Sequence, residues 1–161
     1  MIVSHKDINK IAFTGSTEVG KLIREKTAGS GKSLTLELGG KSPFVVFDDA
    51  DLDSAIEGVV DAIWFNQGQV CCAGSRLLVH EAIAENFYKK LKARMKTLRL
   101  GNPLDKSIDM GAIIDKKQHE KINRMVSLSN GKVYQADIPL PEEGCFFSPT
   151  LITDLHTADP L

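Results

Sequence analysis

Two hydrophobic rhythms alternate along the chain, a period of two in short runs and a period of about 3.6 in longer ones. Leu34, Leu36 and Leu38 alternate with Ser33, Thr35 and Glu37, which predicts a strand over Ser33–Leu38 with one buried face. Ile8–Gly15 reads as an earlier short strand running into a glycine-bearing turn. Between the two, Val19, Leu22, Ile23 and Lys26 stand at helical spacing, with Thr17 as the expected cap and Gly29-Ser30-Gly31 as the stop. Gly39-Gly40 breaks the leucine strand, and after Pro43 the run Phe44–Phe47 predicts another.

Asp48, Asp49 and Asp51 open a helix, since carboxylates gather at the positive end of a helix. Leu52, Ala55, Ile56, Val59, Val60 and Ile63 carry it, and it is expected to end near Asn66-Gln67-Gly68. Leu77–His80 follows as a strand. Ile83–Leu98 follows as an amphipathic helix with Ile83, Phe87, Leu91, Met95 and Leu98 inward. A further helix over Asp115–Leu128 carries Ile122, Met125 and Val126 on one side, and strands are expected at Lys132–Gln135 and Thr150–Ile152. Strands alternating with helices predict an α/β fold with a largely parallel sheet.

Composition narrows the class. The 161 residues are 42% hydrophobic and 25% charged with a net charge of −1, which excludes a disordered chain. No apolar run approaches the roughly 18 residues of a membrane span. A long basic stripe with interleaved aromatics is also missing, so neither membrane nor nucleic acid is expected as a partner. Cys71, Cys72 and Cys145 are too few for a disulfide framework, and the four scattered histidines offer no metal set. The opening MIVSHKDINK lacks the apolar core of a signal peptide, so a reduced, cytoplasmic protein is expected. The chain begins almost on a strand and stops at Ala158-Asp159-Pro160-Leu161, which predicts a piece of something longer.

Three places have the residues for chemistry. Gly15-Ser16-Thr17-Glu18-Val19-Gly20-Lys21 is a strand-to-helix turn whose exposed amides suit an anion. It approaches a P-loop, but Leu22 stands where a magnesium-binding hydroxyl belongs, and Glu18 repels a triphosphate. Glu37 is either a carboxyl desolvated among leucines, the condition for a general base, or a residue on the solvated face of its strand. In Phe65–Arg76 a helix end leads straight into two thiols with glycine and small polar neighbours, a setting open to substrate and to oxyanion-holding amides. Only one of Cys71 and Cys72 can face a given pocket, and periodicity does not choose between them. Cys145, beside Phe146 and Phe147, reads as a packing residue.

Three long motifs, FTGSTEVG (Phe13–Gly20), LELGGKSP (Leu36–Pro43) and FNQGQVCCAGSR (Phe65–Arg76), resemble the NAD(P)-dependent aldehyde dehydrogenase superfamily in order and spacing. GNPLD (Gly101–Asp105), MGAII (Met110–Ile114) and FFSPTLI (Phe146–Ile152) extend the resemblance along the chain. The run DAIWFNQGQVCCAGSRLLV is also similar to the long, two-module family-16 branch. The resemblance implies the end of a Rossmann-like cofactor domain over 1–38, followed by part of a catalytic α/β domain over 39–161. It implies Cys71 as nucleophile and Glu37 as general base. It further implies that Gly15, Ser16, Thr17, Glu18, Val19 and Gly20 contact the diphosphate of NAD or NADP, with Leu38 and Gly39 near the nicotinamide.

Aldehyde oxidation through a thiohemiacetal and a thioester on Cys71 is then the expected activity, and full-length members of the family are homo-oligomers. A family subunit is about three times as long, and its oxyanion asparagine lies upstream. The isolated chain is therefore expected to lack dehydrogenase activity. The alternatives are a non-catalytic product that pairs with full-length subunits, or a P-loop nucleotide-binding protein.

Overall fold

The computed structural model describes residues 2–157 and 159, so most of the expected chain ending lies outside the described residues. The elements are β1 (Lys10–Gly15), α1 (Thr17–Thr27), β2 (Ser33–Leu38), β3 (Pro43–Val46) and α2 (Leu52–Trp64). They continue with β4 (Arg76–Val79), α3 (Glu81–Met95), α4 (Lys116–Ser127), β5 (Lys132–Gln135) and β6 (Thr150–Thr153). Short 3-10 turns lie at Ile2–Ser4 and Phe65–Gly68.

The strands form three two-stranded pairs. β1 with β2 and β3 with β4 are parallel, and β5 with β6 is antiparallel. The α/β class is thus as expected, its parallel pairings gathered at the front of the chain. Leucine alternation gives β2 its one half-buried face, and α1, whose Ile23 and Thr27 are buried, meets it at Gly20 beside Leu38.

The main core lies between α2, α3 and the β3–β4 pair. Val46, Ile56, Val59, Trp64, Phe87, Leu91 and Met95 fill it, and among the described residues none of it comes from before residue 39. Phe87 and Met95 have no exposed surface, so each stabilises the fold by roughly 1.5–3 kcal/mol relative to an exposed position. On the rim, Arg94 grips Glu57 with two N–H···O contacts of 2.7 and 3.1 Å and keeps α2 and α3 in register.

The helix expected over Ile83–Leu98 runs instead from Glu81 to Met95. His80 supplies its cap, Nδ1 accepting from the Ala82 N–H at 3.3 Å. Leu98 lies past the helix end yet stays buried, because the turn after α3 folds it back onto the core.

Candidate active site

Parallel pairing decides where the candidate residues meet. In the first pair Gly15 stands beside Leu38 and Thr14 beside Glu37. Because both strands run the same way, the Gly15-Ser16 turn and the Leu38-Gly39-Gly40 turn leave the sheet at one edge. This is the carboxyl end of the strands, where α/β sheets gather ligands. Gly20, one turn into α1, is buried, and a Cβ there would lie 2.7 Å from Leu38 Cδ2. Its bare backbone lets helix and strand approach. Gly15, Ser16, Thr17, Glu18, Val19 and Gly39 are exposed around this contact, and Leu38 is half-buried.

Ser16, not Thr17, caps α1. The Ser16 backbone is extended (φ −71°, ψ 148°) and its Oγ accepts from the Val19 N–H at 3.3 Å, whereas Thr17 is already helical. A cap oxygen has to come from the last residue outside the helix. The Ser16 hydroxyl keeps its own proton for donation, and the first-turn N–H groups point out of the helix end. Together these fit a diphosphate, with Glu18 as the one opposing charge.

The second pair brings the other two motifs together. Residues 39–42 lead into β3 and residues 69–75 lead into β4, and β3 pairs with β4 so that Pro43 stands beside Arg76. Both connections therefore lie at the same amino end of that pair. They touch there, since a Cβ on Gly40 would lie 3.3 Å from the Cys71 carbonyl oxygen. The Arg76 backbone N–H donates to the Ser42 carbonyl at 3.2 Å, and its Nε–H donates to the Lys41 carbonyl at 2.7 Å.

Glu37, near the end of β2, thus precedes a turn that touches the connection carrying Cys71. Both are exposed, and neither side chain makes a hydrogen bond or ion pair among the described residues. The Glu37 carboxyl takes the solvated face of β2, not a place among Leu34, Leu36 and Leu38. Cys72 is exposed as well, and Cys145 is half-buried.

The connection that carries Cys71 starts from a strained turn. Asn66, Gln67 and Gly68 are consecutively left-handed, with φ of 48°, 56° and 72°. Such a conformation costs a non-glycine residue roughly 1–2 kcal/mol and has to be held by its surroundings. The Gln69 Oε1 accepts from the Ile114 N–H at 3.0 Å. The Gln67 carboxamide, oriented so that both ends are satisfied, accepts from the Gly111 N–H at 2.6 Å and donates to the Ala112 carbonyl at 3.2 Å.

Sequence reasoning missed these two glutamines and Arg76 as supports. The Asn-Gln-Gly run signals a left-handed turn, but nothing in it names partners 45 residues away. A shallow concavity of about 400 Å³ lies apart from all of this, over β3–β4, lined by Val45, Phe47, Leu78, His80 and Tyr88 among others. None of the candidate residues lines it.

Comparison with known proteins yields one family. The family model described as "Aldehyde dehydrogenase family" matches residues 1–161. The chain is 48% identical over 160 residues to rat "Aldehyde dehydrogenase, cytosolic 1", covering 96% of this chain and 32% of that protein. It is 45% identical over 158 residues to Arabidopsis thaliana "Aldehyde dehydrogenase family 2 member B4, mitochondrial", covering 96% and 29%. Among solved structures, betaine aldehyde dehydrogenase from Staphylococcus aureus in complex with NAD+ is similar with a TM-score of 0.93 at 34% identity, covering 98% of this chain and 33% of that one. The chain spans about a third of the length of these relatives.

Proposed function

The chain belongs to the aldehyde dehydrogenase family, and on that premise we propose that it carries the reacting centre of an NAD(P)+-dependent aldehyde oxidation. The observation that supports this most is the contact of the Gly40 turn with the Cys71 carbonyl, which joins the turn after the Glu37 strand to the connection carrying Cys71. Cys71 is the nucleophile. Its sulfur adds to the aldehyde carbon to form a thiohemiacetal. The bound nicotinamide supplies the hydride acceptor for oxidation to the thioester. Glu37 takes a proton from water as that water adds to the thioester carbon, which releases the carboxylic acid and frees the sulfur.

Residues Gly15–Gly20, with Leu38 and Gly39, would hold the dinucleotide, the Ser16 hydroxyl and first-turn amides facing its diphosphate. The similar S. aureus enzyme, complexed with NAD+, supports this choice of cofactor. The division at 38/39 accords with a main core that, among the described residues, draws nothing from before residue 39. The cytosolic rat relative supports a cytoplasmic setting, against the mitochondrial Arabidopsis one. A P-loop reading draws no support, because residues 17–27 are helix rather than a loop that wraps phosphate.

The test separates the two steps with p-nitrophenyl acetate, which needs no cofactor. At the protein's natural length, wild type should give a burst of p-nitrophenolate followed by slower turnover. Glu37→Gln should keep the burst and lose most turnover, and Cys71→Ala should lose both. A Cys71→Ala protein that still gives the burst refutes the assignment.

A further inference from the structure

We infer that Arg76 is a positioning residue that sets the spacing of Glu37 and Cys71, by fastening the turn that follows the Glu37 strand to the segment that carries Cys71. The inference rests on the function proposed above.

Its basis is how an exposed arginine uses its donors. Arg76 takes part in none of the ion pairs among the described residues. Its Nε–H instead donates to a main-chain carbonyl 35 residues away, that of Lys41, at 2.7 Å. Its own backbone N–H donates to the next carbonyl, that of Ser42, at 3.2 Å. One residue therefore holds two successive peptide units of the turn that follows Glu37. A bond from a guanidinium is charge-assisted, and its planar geometry fixes direction as well as distance. Five residues before Arg76, Cys71 lies with its carbonyl oxygen against Gly40. Loosening Arg76 removes the one side-chain bond between the two segments among the described residues and leaves the β3–β4 ladder to hold them.

The chemical consequence falls on one step. Acylation needs only the Cys71 sulfur, which attacks the ester carbonyl of p-nitrophenyl acetate and expels p-nitrophenolate. Deacylation needs a water placed between the Glu37 carboxylate and the thioester carbon. Glu37 accepts its proton, acetate leaves, and the sulfur recovers a proton. A change in spacing therefore slows the second step more than the first, and misplacement by about 1 Å costs roughly a hundredfold in rate.

Arg76→Ala and Arg76→Lys, made at the protein's natural length, test this. Lysine preserves the charge but has no N–H at the Nε position, so it guards against an effect of charge alone and against a folding failure of the alanine variant. Both should keep the burst amplitude while steady turnover falls about ten- to a hundredfold. A proportional fall of both phases, or no change in either, overturns the inference. A wild type without a burst would instead overturn the function proposed above. Arg76 is then judged by iodoacetamide labelling read by peptide mass spectrometry. Loss of the tether should shift the ratio of Cys71 to Cys72 labelling, and an unchanged ratio overturns the inference on its own.

Discussion

Replacing Gly68 with alanine should destabilise the protein about three times as much as the same change at Gly29, although both glycines hold nearly the same backbone angle. Their φ values are +72° and +70°. The left-handed conformation alone costs an alanine about 1 kcal/mol at either place. At Gly29 nothing lies within 4 Å of the added methyl, so that cost is the whole effect. At Gly68 the methyl would lie 3.0 Å from the Ile63 carbonyl oxygen and 3.3 Å from Ile63 Cδ1. The carbonyl belongs to the last turns of α2 and has no rotamer to escape into, so crowding adds about 1–3 kcal/mol. In a chain of this size about 3 kcal/mol lowers the melting temperature by roughly 6–12 °C, against roughly 2–4 °C for Gly29→Ala. Thermal melts followed by circular dichroism read the difference directly. Because Gly68 closes the turn that launches the Cys71 connection, Gly68→Ala should also slow iodoacetamide alkylation of Cys71 relative to Gly29→Ala. Equal melting shifts in the two variants would refute the reasoning, since they would mean that the Ile63 carbonyl is not a wall.

Ser16→Ala should cost about 1 kcal/mol of stability through the lost cap and weaken NAD+ binding as well, while Thr17→Ala should cost less on both counts. Urea melts and fluorescence titration measure the two effects, and a larger loss for Thr17→Ala would reverse the cap assignment. Hydrogen bonding by the Arg94 guanidinium holds the Glu57 carboxyl below its ordinary value of 4.5. A carboxyl whose folded value is depressed stabilises the fold above its unfolded value, and that contribution is lost as pH falls through the folded one. Glu57 is exposed and Arg94 only half-buried, so solvent screens the pair and Glu57→Gln should cost less than about 1 kcal/mol near neutrality. Urea midpoints for wild type and variant should converge as pH falls below 4.5, and a pH-independent gap would exclude the ion pair as its source.

What was legible in the sequence were features that a period or a cap states locally. The alternation of Ser33–Leu38 gives β2 to the residue. The carboxylates up to Asp51 and the spacing of Ile56, Val59 and Val60 give the start and buried face of α2. Boundaries slipped where the deciding group is not apolar. His80 begins α3 before its first apolar residue, so a pattern-based start comes late. The site divides in the same way. Glu37, Cys71 and the Gly15–Gly20 turn stand out by residue type. Arg76, Gln67 and Gln69 act through main-chain carbonyls and amides that any residue could present, at separations of 35–45 positions, and composition carries no mark of them. The leucines beside Glu37 hinted at a desolvated carboxyl, yet period two itself sends Glu37 to the opposite face from them.

The same separation of roles makes the chemical assignment open to a clean experiment. The three motifs are brought together by main-chain register and by side chains other than the reactive ones. Gly15 pairs with Leu38, Pro43 pairs with Arg76, and Arg76 holds Lys41 and Ser42. Glu37 and Cys71 contribute no side-chain bond to that assembly among the described residues, and both are exposed. Exposed substitutions away from packing and hydrogen bonding usually change stability by less than about 0.5 kcal/mol. Loss of activity in Glu37→Gln or Cys71→Ala therefore reports on the reaction and not on the scaffold. Loss in Arg76→Ala reports on the scaffold as the reaction feels it, and the split between burst and turnover tells the two apart.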